Sequence, residues 1–344
     1  LQKDDLGQIR SYQLIANKDF YDDQPYIDTI IIKFYDSEDD LITAYNSNEV
    51  QNLSSVSPQN LNKLKFKQRL NITELKVPRY FAVFFNQSQN PILASKNVRL
   101  ALNYATDKQA IIDTIVAGKG SVVYSPLIEN VLDVDQDFAK YTYDPSRAKT
   151  ILAADGWVST DNAGFLLKGS GKNQARLTIH ITTSTLPELV RIANIIRDQW
   201  SKVGVEIIVD TLATPQLQQI IKDRSYQSLL FGEILDLDPD PLSFWDSSKT
   251  QKLGLNLAFY SNKTVDSLLG DARQSLDPSE RAKKYDDFQK IVISDVPAVF
   301  LYNPFYLYPQ TTNIHGANTI IIATPADRFA NIEKWYVNTK RIWR

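Results

Sequence analysis

The chain has no cysteine and no methionine among its 344 residues, and it has only two histidines. The absence of cysteine excludes disulfides, thiolate metal sites, iron–sulfur clusters and a cysteine nucleophile within this chain. Glycine is also scarce, with 12 residues, which is about half of its usual share of roughly 7%. The sequence therefore offers little material for the glycine-rich loops that hold phosphates.

Methionine is missing at position 1 as well. A natural chain of this length normally carries several methionines, so we expect the sequence to be a piece cut from a longer protein. A signal peptide or a lipid anchor could then have been removed or lie upstream of residue 1.

The chain also lacks a charge excess and a long apolar run. Lysine plus arginine total 38 and aspartate plus glutamate total 40, a net charge of −2, which provides no electrostatic basis for binding nucleic acid. No run of about 18 apolar residues is present, so no transmembrane helix is predicted. Aromatic residues make up 11% of the chain, which is ample for a core, and its length favours about two domains.

Common catalytic motifs are missing too. The sequence contains no His-Glu-x-x-His, no Gly-x-Ser-x-Gly and no phosphate-binding loop motif. The glycines at 118 and 120 begin like a dinucleotide loop, but the third glycine is absent and the segment follows a predicted helix. His180 stands alone in a predicted strand, where a structural role is more usual than a ligand or base role.

Residues 176–234 give the clearest architecture. Three apolar runs, at 177–181, 205–209 and 227–231, alternate with two amphipathic helical segments. The first helix carries an apolar stripe at Leu189, Ile192, Ala193, Ile196, Trp200 and Val203. A β-α-β-α-β order predicts a parallel, right-handed open α/β layer. The aromatic segment 79–86 and residues 297–302 predict further buried strands, and 319–323 predicts one more.

Helix starts are marked by capping residues. Ser95, Asp144 and Asp277 each precede a helical pattern as N-cap candidates. Thr106 with Gln109, and Thr185 with Glu188, have the spacing of capping boxes.

One dense group of charges stands out, the Asp-Leu-Asp-Pro-Asp-Pro run at 236–241. As a calcium loop it supplies carboxylates at positions 1, 3 and 5, but it has Pro241 where a glycine is needed and Ser247 where a bidentate glutamate is needed. It could also supply a catalytic carboxylate pair together with Glu233, or it could be a solvated turn. All three interpretations remain open from the residues alone.

A fourth interpretation rests on the position of this loop. It follows the third strand of the predicted parallel layer, and in open α/β sheets ligands gather beyond the carboxyl ends of the strands. The carboxylates of Glu233, Asp236 and Asp238, followed by the indole of Trp245, combine fixed charge with an aromatic wall. This mixture suits a pocket for a flexible, partly cationic ligand.

The same region resembles the extracellular solute-binding proteins of family five, which serve ABC importers for oligopeptides, dipeptides, nickel or some sugars. The resemblance rests on Leu-Phe-Gly-Glu at 230–233, the acidic loop, and Ser-Phe-Trp at 243–245. Further similar stretches follow the family's order and spacing along nearly the whole chain, at 17–30, 97–108, 143–157, 187–205 and 254–266.

The resemblance implies an α/β, periplasmic-binding-protein-like fold (type II, cluster C), with two hinged lobes of mixed sheets flanked by helices. Residues 1–84 plus 305–344 would form lobe I, and 85–304 would form lobe II, with crossovers near 80–86 and 299–304. Family members are considerably longer, so lobe I would lack its N-terminal portion. We expect the 344-residue chain alone to bind ligand weakly or not at all.

By the same resemblance, the protein would capture oligopeptides in an interlobe cleft and deliver them to the permease subunits of an ABC transporter. It would be an extracytoplasmic lipoprotein, in the periplasm or on the outer face of the membrane, and a monomer without a cofactor, nucleic-acid partner or enzymatic activity. Membrane association would come only through an upstream anchor or the permease. The alternatives are a hydrolase using the acids of 233–240, and the same receptor fold binding a sugar or a nickel chelate.

The candidate ligand-binding set departs from the family pattern at one position. Leu237 stands where several members place the aspartate that anchors a ligand amine, and Asp236 and Asp238 flank it. The full predicted set is Glu233, Asp236, Asp238, Trp245, Asn256, Phe85 and Tyr302.

Overall fold

The aromatic strand predicted at 79–86 forms, and its pairing determines where the chain divides. The computed structural model describes residues 1–128, 134 and 137–338. The chain separates into a first unit, Leu1–Val77 with Phe305–Arg344, and a second unit, Pro78–Pro304. The units meet at 77/78, seven residues before the 84/85 boundary expected from the sequence, and the strand pairs with two strands of the second unit. Residues 339–344 of the predicted lobe I lie outside the described residues.

The first unit begins with an antiparallel sheet of β1 (Gln2–Lys3), β2 (Ile9–Ile15) and β3 (Thr29–Lys33), in that order. The first helix of this unit follows the sheet. Its N-cap is Ser37, whose side chain accepts a hydrogen bond from the Asp40 N–H. The other elements up to residue 77 are α1 (Glu38–Asn46) and β4 (Leu70–Leu75), with 3₁₀ turns at Pro58–Lys63 and Lys67–Arg69.

The second unit alternates strands and helices. Its elements are β5 (Arg79–Phe85), α2 (Pro91–Ala94), α3 (Lys96–Tyr104), α4 (Lys108–Val116), β6 (Gly120–Val122), α5 (Pro145–Ala154), β7 (Ser159–Thr160), β8 (Leu166–Lys168), β9 (Ala175–Arg176), β10 (Thr178–Ser184), α6 (Pro187–Ser201), β11 (Glu206–Leu212), α7 (Thr214–Asp223), β12 (Ser228–Ile234), α8 (Leu242–Trp245), α9 (Lys263–Gln274), α10 (Pro278–Asp295) and β13 (Ala298–Pro304).

After residue 304 the chain returns to the first unit with β14 (Tyr306–Thr311), β15 (Ile314–His315) and β16 (Tyr336–Val337). Strand β14 pairs antiparallel with β4. The strand predicted at 319–323 is wrong, because this segment makes only one isolated bridge, between Lys76 and Ile321. Across the described residues, no helix is both long and apolar enough to cross a lipid bilayer.

The central sheet of the second unit has the strand order β11-β10-β12-β5-β13-β6. Strand β10 pairs parallel with both β11 and β12, which confirms the predicted parallel layer. Strand β5 pairs antiparallel with β12 on one side and β13 on the other. The sheet is therefore mixed, and its parallel half is the β-α-β-α-β segment identified in the sequence.

Two hydrophobic cores lie on the two faces of this sheet. Since side chains alternate along a strand, Val83 and Phe85 of β5 enter one core and Tyr80, Ala82 and Phe84 enter the other. The apolar stripe of α6 covers the first face. Trp200, at the end of this stripe, is fully buried and donates its indole N–H to the Thr106 hydroxyl at 2.9 Å.

The helix starts test the capping predictions. Ser95, Asp144 and Asp277 are N-caps whose side chains accept backbone N–H groups, as predicted. The two capping boxes predicted at Thr106 with Gln109 and at Thr185 with Glu188 are wrong. Asp107 caps α4 because the Thr106 hydroxyl donates back to the Leu102 carbonyl, and α6 begins after Leu186 with no side-chain cap.

Replacing Trp200 with alanine should lower the free energy of unfolding by about 3–5 kcal/mol, because it empties a large buried site and removes the indole hydrogen bond. Urea denaturation followed by circular dichroism measures the change. Leu276→Ala is the control, since Leu276 is 99% exposed, and should change stability by less than about 0.5 kcal/mol. Equal effects of the two substitutions would contradict this packing.

Candidate functional site

Several strand ends of the second unit meet at one edge of the central sheet, which we call the carboxyl edge. Strands β10, β11 and β12 run parallel and end there. Strand β5, antiparallel to β12, begins there with Arg79 opposite Ile234. Strand β13, antiparallel to β5, ends there. Polar groups from these strands and from the start of α6 are thereby brought together from distant parts of the sequence.

A carboxylate and a tyrosine hydroxyl meet at the carboxyl edge. The Tyr302 hydroxyl of β13 donates a hydrogen bond to Oε1 of Glu188, in the first turn of α6, at 2.7 Å. The pKa of Tyr302 is raised far above its usual range, first by burial and then by the adjacent Glu188 carboxylate. The tyrosine is therefore a proton donor at any physiological pH, while Glu188 remains an exposed residue.

An aromatic stack supports this pair. The Phe81 ring lies on the Tyr302 ring, with centroids 5.3 Å apart and an interplanar angle of 27°. Gly232 of β12 stands opposite Phe81, and a Cβ at Gly232 would lie 3.0 Å from the Phe81 ring. The absence of a side chain at 232 thus allows the Phe81 ring to lie across β12. Sequence reasoning missed both Glu188 and Phe81 as site residues.

Glu233 lies on the other face of the sheet and is buried. It is 3% exposed, and the Tyr80 hydroxyl donates a hydrogen bond to its carboxyl group. Burial raises the pKa of Glu233 to about 8, although the Tyr80 hydrogen bond acts in the opposite direction. At neutral pH the Glu233 carboxyl is mostly protonated. In this structure Glu233 is a buried, hydrogen-bonded acid, and its contact with a ligand remains a prediction.

The acidic loop after β12 is exposed, and two of its acids have arginine partners. Asp238 pairs with Arg281 of α10 at 3.1 Å, and Asp240 pairs with Arg273 of α9 at 3.3 Å. Such exposed pairs contribute at most about 1 kcal/mol each. Asp236 is exposed at the start of the loop. A calcium site would need converging carboxylates, and in the part of the chain that the structure describes no group of three or more metal-type ligands meets.

Three other predicted site residues lie inside the second unit. The Phe85 ring packs near Trp200, with centroids 6.3 Å apart, and Trp245, 1% exposed, packs against Phe300 in the opposite core. Asn256 is fully buried, and its amide bonds to the backbone of Tyr260 and Asp246. Each of these three side chains is enclosed by its own core, and its contact with a ligand remains a prediction.

Comparisons with known proteins bear on this arrangement. A family model described as "Bacterial extracellular solute-binding proteins, family 5 Middle" matches residues 6–254. The oligopeptide-binding protein AppA of Bacillus subtilis (strain 168) is 27% identical over 330 residues, which cover 94% of this chain and 59% of that protein. The chain thus spans less than two thirds of this relative's length.

Two solved structures show similar folds. The structure of Bacillus subtilis AppA in complex with a nonapeptide matches with a TM-score of 0.69 at 25% identity, covering 96% of this chain and 64% of that chain. The structure of NikZ from Campylobacter jejuni in complex with Ni(L-His) matches with a TM-score of 0.72 at 25% identity, covering 95% of this chain and 65% of that chain.

Burial of Glu233 predicts a specific dependence of stability on pH. The folded state retains a proton up to about pH 8, whereas the unfolded state loses it near the ordinary glutamate pKa, so stability should fall as pH rises between these values. From pH 5 to pH 8 this loss should be roughly 3 kcal/mol larger in the wild type than in Glu233→Gln. Urea unfolding of both proteins at several pH values measures it, and parallel curves would rule out a protonated Glu233.

Proposed function

Because the chain belongs to family 5 of the bacterial extracellular solute-binding proteins, we propose that this protein captures oligopeptides and delivers them to the permease subunits of an ABC importer. Residues 6–254 carry the family match, which includes the carboxyl edge up to the end of β12. Members of this family are binding proteins rather than enzymes, so the hydrolase alternative is wrong. The similar solved structures also confirm the predicted periplasmic-binding-protein-like fold class.

The carboxyl edge is the observation that carries this proposal. It presents an oriented carboxylate at Glu188, an aromatic stack of Phe81 and Tyr302, and the nearby charge of Arg79. A peptide offers matching groups, namely charged termini, amide dipoles and apolar side chains. AppA, whose solved structure holds a nonapeptide, is 27% identical to this chain over 330 residues, and this similarity supports a peptide as the solute.

The remaining functional assignments follow from the family and are proposals too. We place the protein outside the cytoplasm, in the periplasm or on the outer face of the membrane, as a monomer held there by a lipid anchor or by the permease. Of the predicted site residues, Asp236, Asp238 and Tyr302 are the ones proposed to contact the solute or to orient groups that do. Glu233, Phe85, Trp245 and Asn256 support them from the interior.

Isothermal titration calorimetry on the complete protein tests this function. We expect saturable one-to-one binding of alanine peptides of three to five residues. Nickel–histidine and a disaccharide, titrated separately under the same conditions, should give no saturable heat. Saturation by either of these, with none by the peptides, would overturn the assignment of peptides as the solute.

A further inference from the structure

The carboxylate of Glu188 has unused capacity to accept hydrogen bonds. Tyr302 donates to Oε1, and a carboxylate has about four lone-pair positions on its two oxygens. Glu188 forms no ion pair with any residue that the structure describes. The side chain is exposed, so a cation from solution could reach it.

The position of Glu188 has an ordinary explanation that does not account for its contacts. Acidic residues are favoured in the first turn of a helix, where the macrodipole stabilises negative charge. That preference does not require a partner from another element. Here the partner is a buried tyrosine on β13, 114 residues away in sequence, and it fixes the direction of one carboxylate oxygen. The carboxylate is oriented as well as favourably placed.

The surroundings of Glu188 combine aromatic, apolar and positively charged groups. Phe81 and Tyr302 provide stacked rings beside the carboxylate, and aromatic faces attract cations. Leu186 is 62% exposed and Ile234 is 69% exposed at the same edge. Arg79, opposite Ile234, acts on the pKa of Tyr302 in the direction opposite to Glu188, and its Nε has no hydrogen-bond partner among the described residues.

We propose that Glu188, oriented by Tyr302, binds the cationic group of the solute and makes this protein selective for ligands with a free amine. This assignment rests on the proposed function and adds to it the residue that determines specificity. An ammonium group would donate to the free lone pairs of Glu188 and lie near the Phe81–Tyr302 stack. Arg79 would offer the opposite charge to a solute that is zwitterionic.

A cycle that combines a substitution with a ligand modification tests this. Calorimetry on the complete protein would compare trialanine and pentaalanine with their N-acetyl derivatives, on the wild type and on Glu188→Gln. We expect Glu188→Gln to weaken binding of the free-amine peptides about 10-fold or more, since a charge-assisted hydrogen bond is lost. Binding of the acetylated peptides should change by less than about 2-fold, because acetylation has already removed the ammonium.

Two further variants separate recognition from structure. Tyr302→Phe removes the orienting hydroxyl and should weaken only the free-amine peptides, by less than Glu188→Gln does. Asp198→Asn changes an exposed carboxylate of the same helix, which pairs with Arg197, and should leave all four affinities unchanged.

The outcomes distinguish this assignment from the proposed function. Peptide binding that Glu188→Gln leaves unchanged, or weakens equally for free and acetylated peptides, overturns the role of Glu188 and keeps the function. Failure of the wild type to bind any of the four peptides overturns both.

Discussion

Strand β5 is hydrogen-bonded along both of its edges, and the arrangement of the second unit depends on this double pairing. With β12 on one side and β13 on the other, its residues reach two cores in alternation. The same pairing sets Glu233 opposite Tyr80 and Gly232 opposite Phe81, and it sets Tyr302 opposite Phe81. A shift of one residue in this register would exchange the two faces. It would move the buried acid toward the α6 side and separate the aromatic stack.

The parts of the fold that depend on local patterns could be predicted from the sequence. The segment from β10 to β12 was recognisable because its strands and helices follow one another directly and their apolar periods are clear. The place of β5 was not, since it pairs with strands that begin at residues 228 and 298. A pattern of apolar residues predicts that a strand is buried but does not identify its partners. The capping box at Thr185 shows the same limit, because Glu188 bonds to a tyrosine from a distant strand.

The surroundings of the candidate site residues could not be predicted from the sequence, for a related reason. The acidic loop is a candidate site in the sequence because its charges are dense, yet Asp238 and Asp240 have arginine partners on α10 and α9. The sequence predicts a fixed charge at Glu233, whereas burial among residues from several elements raises the pKa of this carboxyl group. Glu188 is noticeable in the sequence only as a capping-box residue, and Phe81 only as part of an aromatic strand. A residue type suggests which chemistry is possible, whereas the neighbours that fix its orientation and charge come from the tertiary structure.

The second unit is one uninterrupted stretch of chain, and its first and last strands are neighbours. The side-chain amide of Asn303 donates a hydrogen bond to the carbonyl of Arg79, so the two termini of this stretch lie side by side. Such a geometry is that of an inserted module, whose ends enter and leave at one point and which can in principle be transplanted between hosts. The ends could also be joined by a few residues and new termini opened in a surface loop. In this unit, the order of the elements along the chain could therefore be changed while their order in the sheet is kept.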